Sequence, residues 1–180
     1  MFSNKAQLKR RTPENGTDRK DFLSLLVDEY INTNSIDAKC QVLANLANFA
    51  YDPINYSYVR QVGVLDIFIH VLKVEKNDKL IHFAASGICN LCIDPVNIEY
   101  ILNNAELKLI YILLKSSQSE IVADAIAILI YLYNSHAKQA INFVEIKEDI
   151  QNLKKSENKV ISNLATIFLD NVDECLNKNE

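Results

Sequence analysis

The sequence predicts an all-α fold, more specifically a right-handed α-solenoid of about three and a half repeats. Two observations support this prediction. The 180-residue chain contains only three glycines and three prolines, whereas an all-β or α/β fold of this length would need many more of them for its turns. The chain also resembles itself at a spacing of 41–42 residues, and that period is typical of helical solenoids.

The repeat can be aligned without gaps. Residues 48–73 (NFAYDPINYSYVRQVGVLDIFIHVLK) align with residues 90–115 (NLCIDPVNIEYILNNAELKLIYILLK), and eight of the 26 paired residues are identical. Residues 80–92 align in turn with residues 121–133. One such unit cannot bury its own apolar faces, so we expect successive units to stack.

The two ends of the chain differ in composition from the repeats. Residues 1–20 include six lysines and arginines and show no apolar period, so we expect a flexible basic tail. This tail is either a solvated extension or a nuclear-import signal. We expect the repeat domain to span residues 21–176 and residues 177–180 to form a flexible C-terminus.

Asp-Pro pairs mark the start of a helix in two of the units. Asp52-Pro53 and Asp94-Pro95 each combine a carboxylate with a proline. The carboxylate can cap free N–H groups, and proline fits the first helical turn because it has no N–H to leave unpaired. Both aspartates are therefore predicted to be N-caps.

The remaining helices follow from apolar residues that recur every three or four positions. Two helices are predicted before the first Asp-Pro pair. Gly63 permits a tight corner between helices, and Ala105 stands at the matching position of the next unit. The predicted short, medium and long helices cover 54–61, 64–74 and 80–92, then 96–103, 106–116 and 120–134, with a last short helix at about 137–144.

Charge and apolar content restrict the possible partners. The net charge is −4, whereas a protein that binds the phosphate backbone directly needs a basic surplus. We therefore expect any RNA contact to be indirect. No apolar stretch approaches the roughly 18 residues that would span a bilayer. A soluble, intracellular chain with reduced thiols and no membrane partner is expected.

The residues that could carry chemistry do not form a recognisable motif. Cys89 and Cys92 have a metal-ligand spacing, but no second ligand pair has a comparable one. They are predicted to be small, buried, structural thiols on a helix. No glycine-rich phosphate-binding motif is present. We therefore expect no catalytic residue, no metal and no cofactor, and hence no enzymatic activity.

The repeat units resemble the armadillo repeat. The resemblance is carried by Asn48-Phe49-Ala50, Asn55 and Gly63, and again by Asn90-Leu91-Cys92 and Asn97, with Ala105 in place of the corner glycine. The third unit departs from the pattern, because Tyr131 stands where the asparagine is expected.

The run at 38–72, together with GICNLC at 87–92, resembles one small subfamily of armadillo proteins more closely still. That resemblance implies a non-enzymatic adaptor whose partner is an RNA-recognition-motif protein similar to RNA-binding motif protein 48. It also implies a role in pre-mRNA splicing within the minor (U12-type) spliceosome. The implied location is the nucleus, and an additional cytoplasmic pool is left open.

In such a stack the long third helices would line a concave groove. A carboxamide in the groove can bind the main chain of a partner, because it both donates and accepts. The alternative is that Asn48 and Asn90 bond to the loop carbonyls after their own helices. A second functional hypothesis is an import-receptor-like module that binds extended basic peptides through the asparagine ladder. The candidate partner-binding residues are Asn45, Asn48, Tyr51, Ser86, Asn90 and Tyr131.

Overall fold

The computed structural model describes residues 2–3, 6–7, 10 and 17–177, and every regular element in this part of the chain is helical. The all-α prediction is therefore confirmed. The chain forms two compact units, the first ending at Asn97 and the second beginning at Ile98. No helix among the described residues is both long and apolar enough to cross a membrane. The α-helices are α1 (Arg19–Asn32), α2 (Ile36–Ala50), α3 (Tyr56–Gln61), α4 (Val64–Val74), α5 (Asp78–Leu91), α6 (Pro95–Asn104), α7 (Lys108–Leu113), α8 (Ser119–Tyr133), α9 (Phe143–Leu153) and α10 (Lys159–Asn177), and 3₁₀ helices span Pro53–Asn55 and His136–Ala140.

The core of the first unit forms where α5 packs against α2 and α4. Leu43 and Leu46 of α2 and Phe68 of α4 are fully buried there. Helix α1 packs on α2 and α3 and contributes Leu23, which is also fully buried. These apolar contacts fix the position of α2, which carries most of the candidate site.

Both Asp-Pro pairs begin helices, as predicted. Oδ1 of Asp52 accepts a hydrogen bond from the N–H of Ile54 at 3.4 Å. Oδ1 of Asp94 accepts from the N–H groups of Val96 at 2.8 Å and Asn97 at 3.2 Å. The first pair opens the 3₁₀ helix that leads into α3, so the helix predicted at 54–61 is divided in two. The second pair opens α6 directly.

The two corner positions behave differently. Gly63 has a φ of +77° and forms the left-handed corner before α4, whose bounds agree with the prediction of 64–74. Ala105 does not adopt positive φ, because a Cβ makes the left-handed conformation costly. The chain therefore turns over several residues, and α7 covers Lys108–Leu113 rather than the predicted 106–116.

Gly87 allows α4 and α5 to approach each other closely. A Cβ at this position would lie 2.4 Å from the ring of Phe68, and that ring is fully buried. The close packing of the two helices therefore depends on the missing side chain of Gly87.

In the second unit, α8 packs against both α7 and α10, and α9 packs against α10. Phe168 of α10 is fully buried. Its ring meets the ring of Tyr133 edge-on, with 5.6 Å between the centroids. The long helix predicted at 120–134 is confirmed as α8, shifted by one residue at each end.

The chain after α8 differs from the helix predicted at 137–144. A 3₁₀ helix, His136–Ala140, is followed by a break and then by α9. The Oγ of Ser135 caps the 3₁₀ helix by accepting from the N–H of Ala137 at 3.0 Å. The N–H of Asn142 donates to the hydroxyl of Tyr111 at 3.0 Å. That bond replaces a helical one, so a continuous helix does not form across this segment.

Candidate functional site

Three of the predicted partner-binding residues lie together at the C-terminal end of α2. Asn45 and Asn48 are exposed one turn apart, and Tyr51 is 58% exposed just beyond the helix. Neither carboxamide has a hydrogen-bond partner among the described residues. With Asp52 these residues form what we call the Asn48 surface. The surface borders a cavity of about 270 Å³, which is lined by Arg19, Asn45, Asn48, Phe49, Tyr51, Asp52 and Asn55.

Asn90 lies on α5 and contacts α2, but its carboxamide forms a hydrogen bond within the protein. Its Nδ2 donates to the carbonyl of Ala47 at 3.1 Å. Its own backbone carbonyl accepts from the hydroxyl of Tyr56 at 3.0 Å. Ala47 belongs to α2, so this bond differs from the loop-carbonyl bond considered as the alternative. Asn90 therefore holds α5 to α2, and its contact with a partner stays a prediction.

The last two candidates have separate positions. Ser86 is half-buried on α5, one turn before Asn90. Tyr131 lies on α8 in the second unit and is 39% exposed. The first unit thus brings Asn90 of α5 to the helix that carries Asn45 and Asn48, and the role of each candidate in binding stays a prediction.

The carbonyl-binding role belongs to two asparagines that the sequence analysis used only to define the repeat. Asn55 is 1% exposed and Asn97 is 0% exposed. The Nδ2 of Asn55 donates to the carbonyl of Phe49 at 2.8 Å, and that of Asn97 donates to the carbonyl of Leu91 at 3.1 Å. Both carbonyls lie at helix C-termini, where intrahelical partners run out. The available signal was their identical position after the Asp-Pro pair in both units.

Arg60 completes the hydrogen bonding of one of these buried asparagines. Its Nη1 donates to Oδ1 of Asn97 at 2.6 Å and lies 3.5 Å from Oδ1 of Asp94. Both ends of the Asn97 carboxamide are therefore paired, which offsets the cost of burying it. This cluster links α3 to the start of α6 and has a structural role.

Asp52 gives the Asn48 surface a negative charge. Partial burial pushes the pKa of its carboxyl upward, but hydrogen bonds from Ser3 and from the N–H of Ile54 outweigh burial. The nearby Arg19 guanidinium acts in the same direction, so the pKa lies below its ordinary value. Asp52 is consequently an anionic acceptor beside two exposed carboxamides.

Of the two cysteines predicted to be buried, only Cys92 is a packed thiol, because Cys89 is half-buried. Cys92 is buried, and burial, together with the neighbouring Cys89, raises the pKa of its thiol well above the ordinary value. A thiol held neutral is a poor nucleophile and a poor metal ligand. In the described part of the chain, no three histidine, cysteine or acidic side chains are grouped so that they could hold a metal.

Comparison with known proteins decides the fold. No protein-family model matches the chain. It is 58% identical over 71 residues to armadillo repeat-containing protein 7 from Mus musculus, and the match covers 39% of this chain and 35% of the mouse protein. A crystal structure of computationally designed armadillo repeat proteins for modular peptide recognition has a TM-score of 0.73, with 20% identity. That match covers 83% of this chain and 63% of the designed one. This chain has the armadillo-repeat fold.

The armadillo-repeat fold is also found in a designed armadillo repeat protein in complex with the peptide (KR)4. Its TM-score with this chain is 0.73 at 18% identity, over 83% of this chain and 63% of the designed protein. The chain therefore spans less than two thirds of the relatives that it matches. The resemblance to armadillo repeats and the solenoid class predicted from the sequence are both confirmed.

Proposed function

We propose that this armadillo-repeat chain is a non-enzymatic scaffold that binds a protein partner through the Asn48 surface. The observation that carries the proposal is the exposed set of Asn45, Asn48 and Tyr51 around one cavity, beside the anionic Asp52. Carboxamides can pair with a main chain through both donor and acceptor atoms. Tyrosine adds a large, stiff contact of the kind that is enriched at protein interfaces.

The partner that we propose is an RNA-recognition-motif protein similar to RNA-binding motif protein 48. The support is the 58% identity over 71 residues to armadillo repeat-containing protein 7, together with the subfamily resemblance at 38–72. In this proposal the chain acts in the nucleus within the minor spliceosome and supports pre-mRNA splicing. It contacts RNA only through the partner, since the net charge of −4 disfavours direct binding to phosphates.

The state of the polar side chains agrees with a scaffold rather than a catalyst. The thiol of Cys92 is buried and neutral. The groups of Arg60, Asp94 and Asn97 are engaged with one another and with helix ends. These side chains stabilise the repeats and do not converge on a reacting atom.

The alternative function is an import-receptor-like module that binds extended basic peptides. Two observations favour it, namely the (KR)4 peptide bound by the designed neighbour and the anionic Asp52 on the Asn48 surface. The asparagine ladder is weaker than this function needs, because Asn90 is bonded to Ala47 and the third position is Tyr131.

Affinity purification followed by mass spectrometry separates the two functions. Specific recovery of an RNA-recognition-motif protein and minor-spliceosome components is expected for the scaffold. Recovery of many unrelated proteins that share only a basic signal would support the import-receptor function and overturn the proposal.

The Asn48 surface itself is tested with the Asn48→Ala variant. Its carboxamide has no partner among the described residues, so the melting temperature should not change. Partner groups left unpaired cost about 1–3 kcal/mol, which corresponds to roughly 5- to 150-fold weaker binding. Asn152→Ala, at an exposed asparagine of α9, is the matched control. A folded Asn48→Ala variant that binds the partner as tightly as the control excludes this surface.

A further inference from the structure

A segment of the chain itself contacts the Asn48 surface. The ring of Phe2 lies on the ring of Tyr51, with 5.6 Å between the centroids and 48° between the planes. The backbone N–H of Ser3 donates to Oδ2 of Asp52 at 2.9 Å. These two contacts involve adjacent residues on each side, so they dock one short stretch of backbone as a unit.

The contact is tertiary and lies at the candidate site. Ser3 and Asp52 are 49 residues apart in the sequence, so their bond is not a local turn. Tyr51 and Asp52 line the same cavity as Asn48. A ligand that used the Asn48 surface along its length would therefore meet Phe2 and Ser3.

The two contacts also define what kind of ligand fits. Oδ2 of Asp52 accepts a backbone N–H, a group that every residue except proline offers. Tyr51 presents an aromatic ring that is more than half exposed, which suits another aromatic side chain. The combination selects a segment in which an aromatic residue is followed by a residue other than proline.

We propose that the Asn48 surface recognises a peptide segment in which an aromatic residue precedes a residue with a free backbone N–H, and that Phe2-Ser3 is the intramolecular occupant that a partner segment displaces. This inference rests on the proposed function and adds the chemistry of the ligand to it. Phe2 is 52% exposed while it contacts Tyr51. The occupant is therefore only half covered, and a partner that also pairs with Asn48 would cover the surface more completely.

The intramolecular contact can be measured directly because the chain contains no tryptophan. In the Phe2→Trp variant the introduced indole is the single tryptophan of the chain, and it can be excited selectively at wavelengths that the tyrosines do not absorb. Acrylamide should quench this tryptophan less efficiently than in the Phe2→Trp/Tyr51→Ala double variant, since the Tyr51 ring shields the indole. Equal quenching in the two proteins would show that residue 2 does not lie against Tyr51 and would overturn the proposal.

Recognition in trans is measured with a synthetic peptide of residues 1–7, MFSNKAQ. The peptide carries a fluorophore and its binding is followed by fluorescence polarisation. The Phe2→Ala protein should bind it more tightly than the wild type, by about 2- to 12-fold, because an aromatic pair no longer competes. Leu25→Ala, at another exposed apolar residue of the first unit, is the matched control and should bind like the wild type.

Two further binding measurements decide the outcome. The peptide MASNKAQ should bind no better than a scrambled peptide, and Tyr51→Ala in the Phe2→Ala background should abolish the gain. The ligand chemistry is overturned if MFSNKAQ does not bind or if its affinity is independent of Phe2 and Tyr51. Those results would leave the proposed scaffold function standing, because the Asn48→Ala variant and the natural partner test that function separately.

Discussion

At the scale of single residues, the asparagines of this protein have two roles that residue type alone does not distinguish. Asn55 and Asn97 are buried and bind carbonyls at helix ends, whereas Asn48 is exposed on α2. The sequence places all three at repeated positions, so it predicts that they matter. It does not predict which ones point inward, because that depends on how α3 and α6 pack beneath the preceding helices.

The buried asparagines should differ in their contribution to stability. Asn97→Ala removes one of the two donors to the Leu91 carbonyl and the 2.6 Å acceptor of Arg60, which keeps only its 3.5 Å contact with Asp94. We expect it to lower the free energy of unfolding by about 1–3 kcal/mol. Asn55→Ala should cost less, since Oδ1 of Asn55 has no partner among the described residues. Urea denaturation of both variants beside Asn48→Ala measures this order. Three equal midpoints would contradict it.

Asp52 should make the stability depend on pH in the acid range. Its folded pKa is below the ordinary value of 3.8, so its charge stabilises the fold above that value. The contribution is lost as the pH falls through the lower folded pKa. Asp52→Ala should therefore lower the free energy of unfolding near neutrality by roughly 1 kcal/mol, as for other N-caps, and the gap to the wild type should narrow on acidification. A gap that is constant with pH would argue against this assignment.

At the scale of helices, the sequence predicts an element well where a local residue fixes its end. Helix α4 has the predicted bounds because Gly63 ends the preceding turn and a polar connector follows. Helix α7 is shorter than predicted because Ala105 cannot make the same corner. After α8 the Asp-Pro pattern is lost. The helix break there is formed with the help of a hydrogen bond from Asn142 to the Tyr111 hydroxyl, and these two residues are distant in sequence. A pattern of apolar residues carries no signal for such a bond.

The close packing of α4 against α5 can be tested by substituting Gly87. Gly87→Ala should gain helix propensity, worth about 1 kcal/mol. The new Cβ would nevertheless meet the buried Phe68 ring at 2.4 Å, and overpacking of this kind costs about 1–3 kcal/mol. We expect a net loss of thermal stability, while Ser86→Ala at the neighbouring position stays close to the wild type. A rise in melting temperature for Gly87→Ala would show that Phe68 can move aside.

At the scale of the whole molecule, period and composition were sufficient to predict a helical solenoid, and the resemblance of Asn48-Phe49-Ala50 and Asn90-Leu91-Cys92 to the armadillo repeat identified its type. The 41–42-residue repeat and the scarcity of glycine describe the architecture and do not depend on exact helix ends. The proposed binding surface was only partly predictable. The grouping of Asn45, Asn48 and Tyr51 follows from their spacing on α2. The hydrogen bond from Asn90 to the Ala47 carbonyl could not be predicted in this way, because it depends on contact between two repeats.

The net charge of −4 leads to a prediction for the purified protein. Alone, it should not retain single-stranded RNA on a filter at physiological salt, because phosphate binding depends on displacing counterions with basic groups. Addition of the proposed RNA-recognition-motif partner should produce retention of the RNA. Salt-sensitive retention of RNA by the chain alone would mean that the basic residues before α1 bind RNA directly.

The bonds at Asn90 also bear on how the first unit opens. Asn90 donates to Ala47 of α2, and its carbonyl accepts from Tyr56, which follows α2 in the chain. Moving α5 away from α2 and from Tyr56, the first residue of α3, breaks both bonds at once and leaves partly buried polar groups without partners. In native-state hydrogen exchange, the slowest amides of the two helices should therefore share one opening free energy, as members of a single cooperative unit rather than of two successive ones.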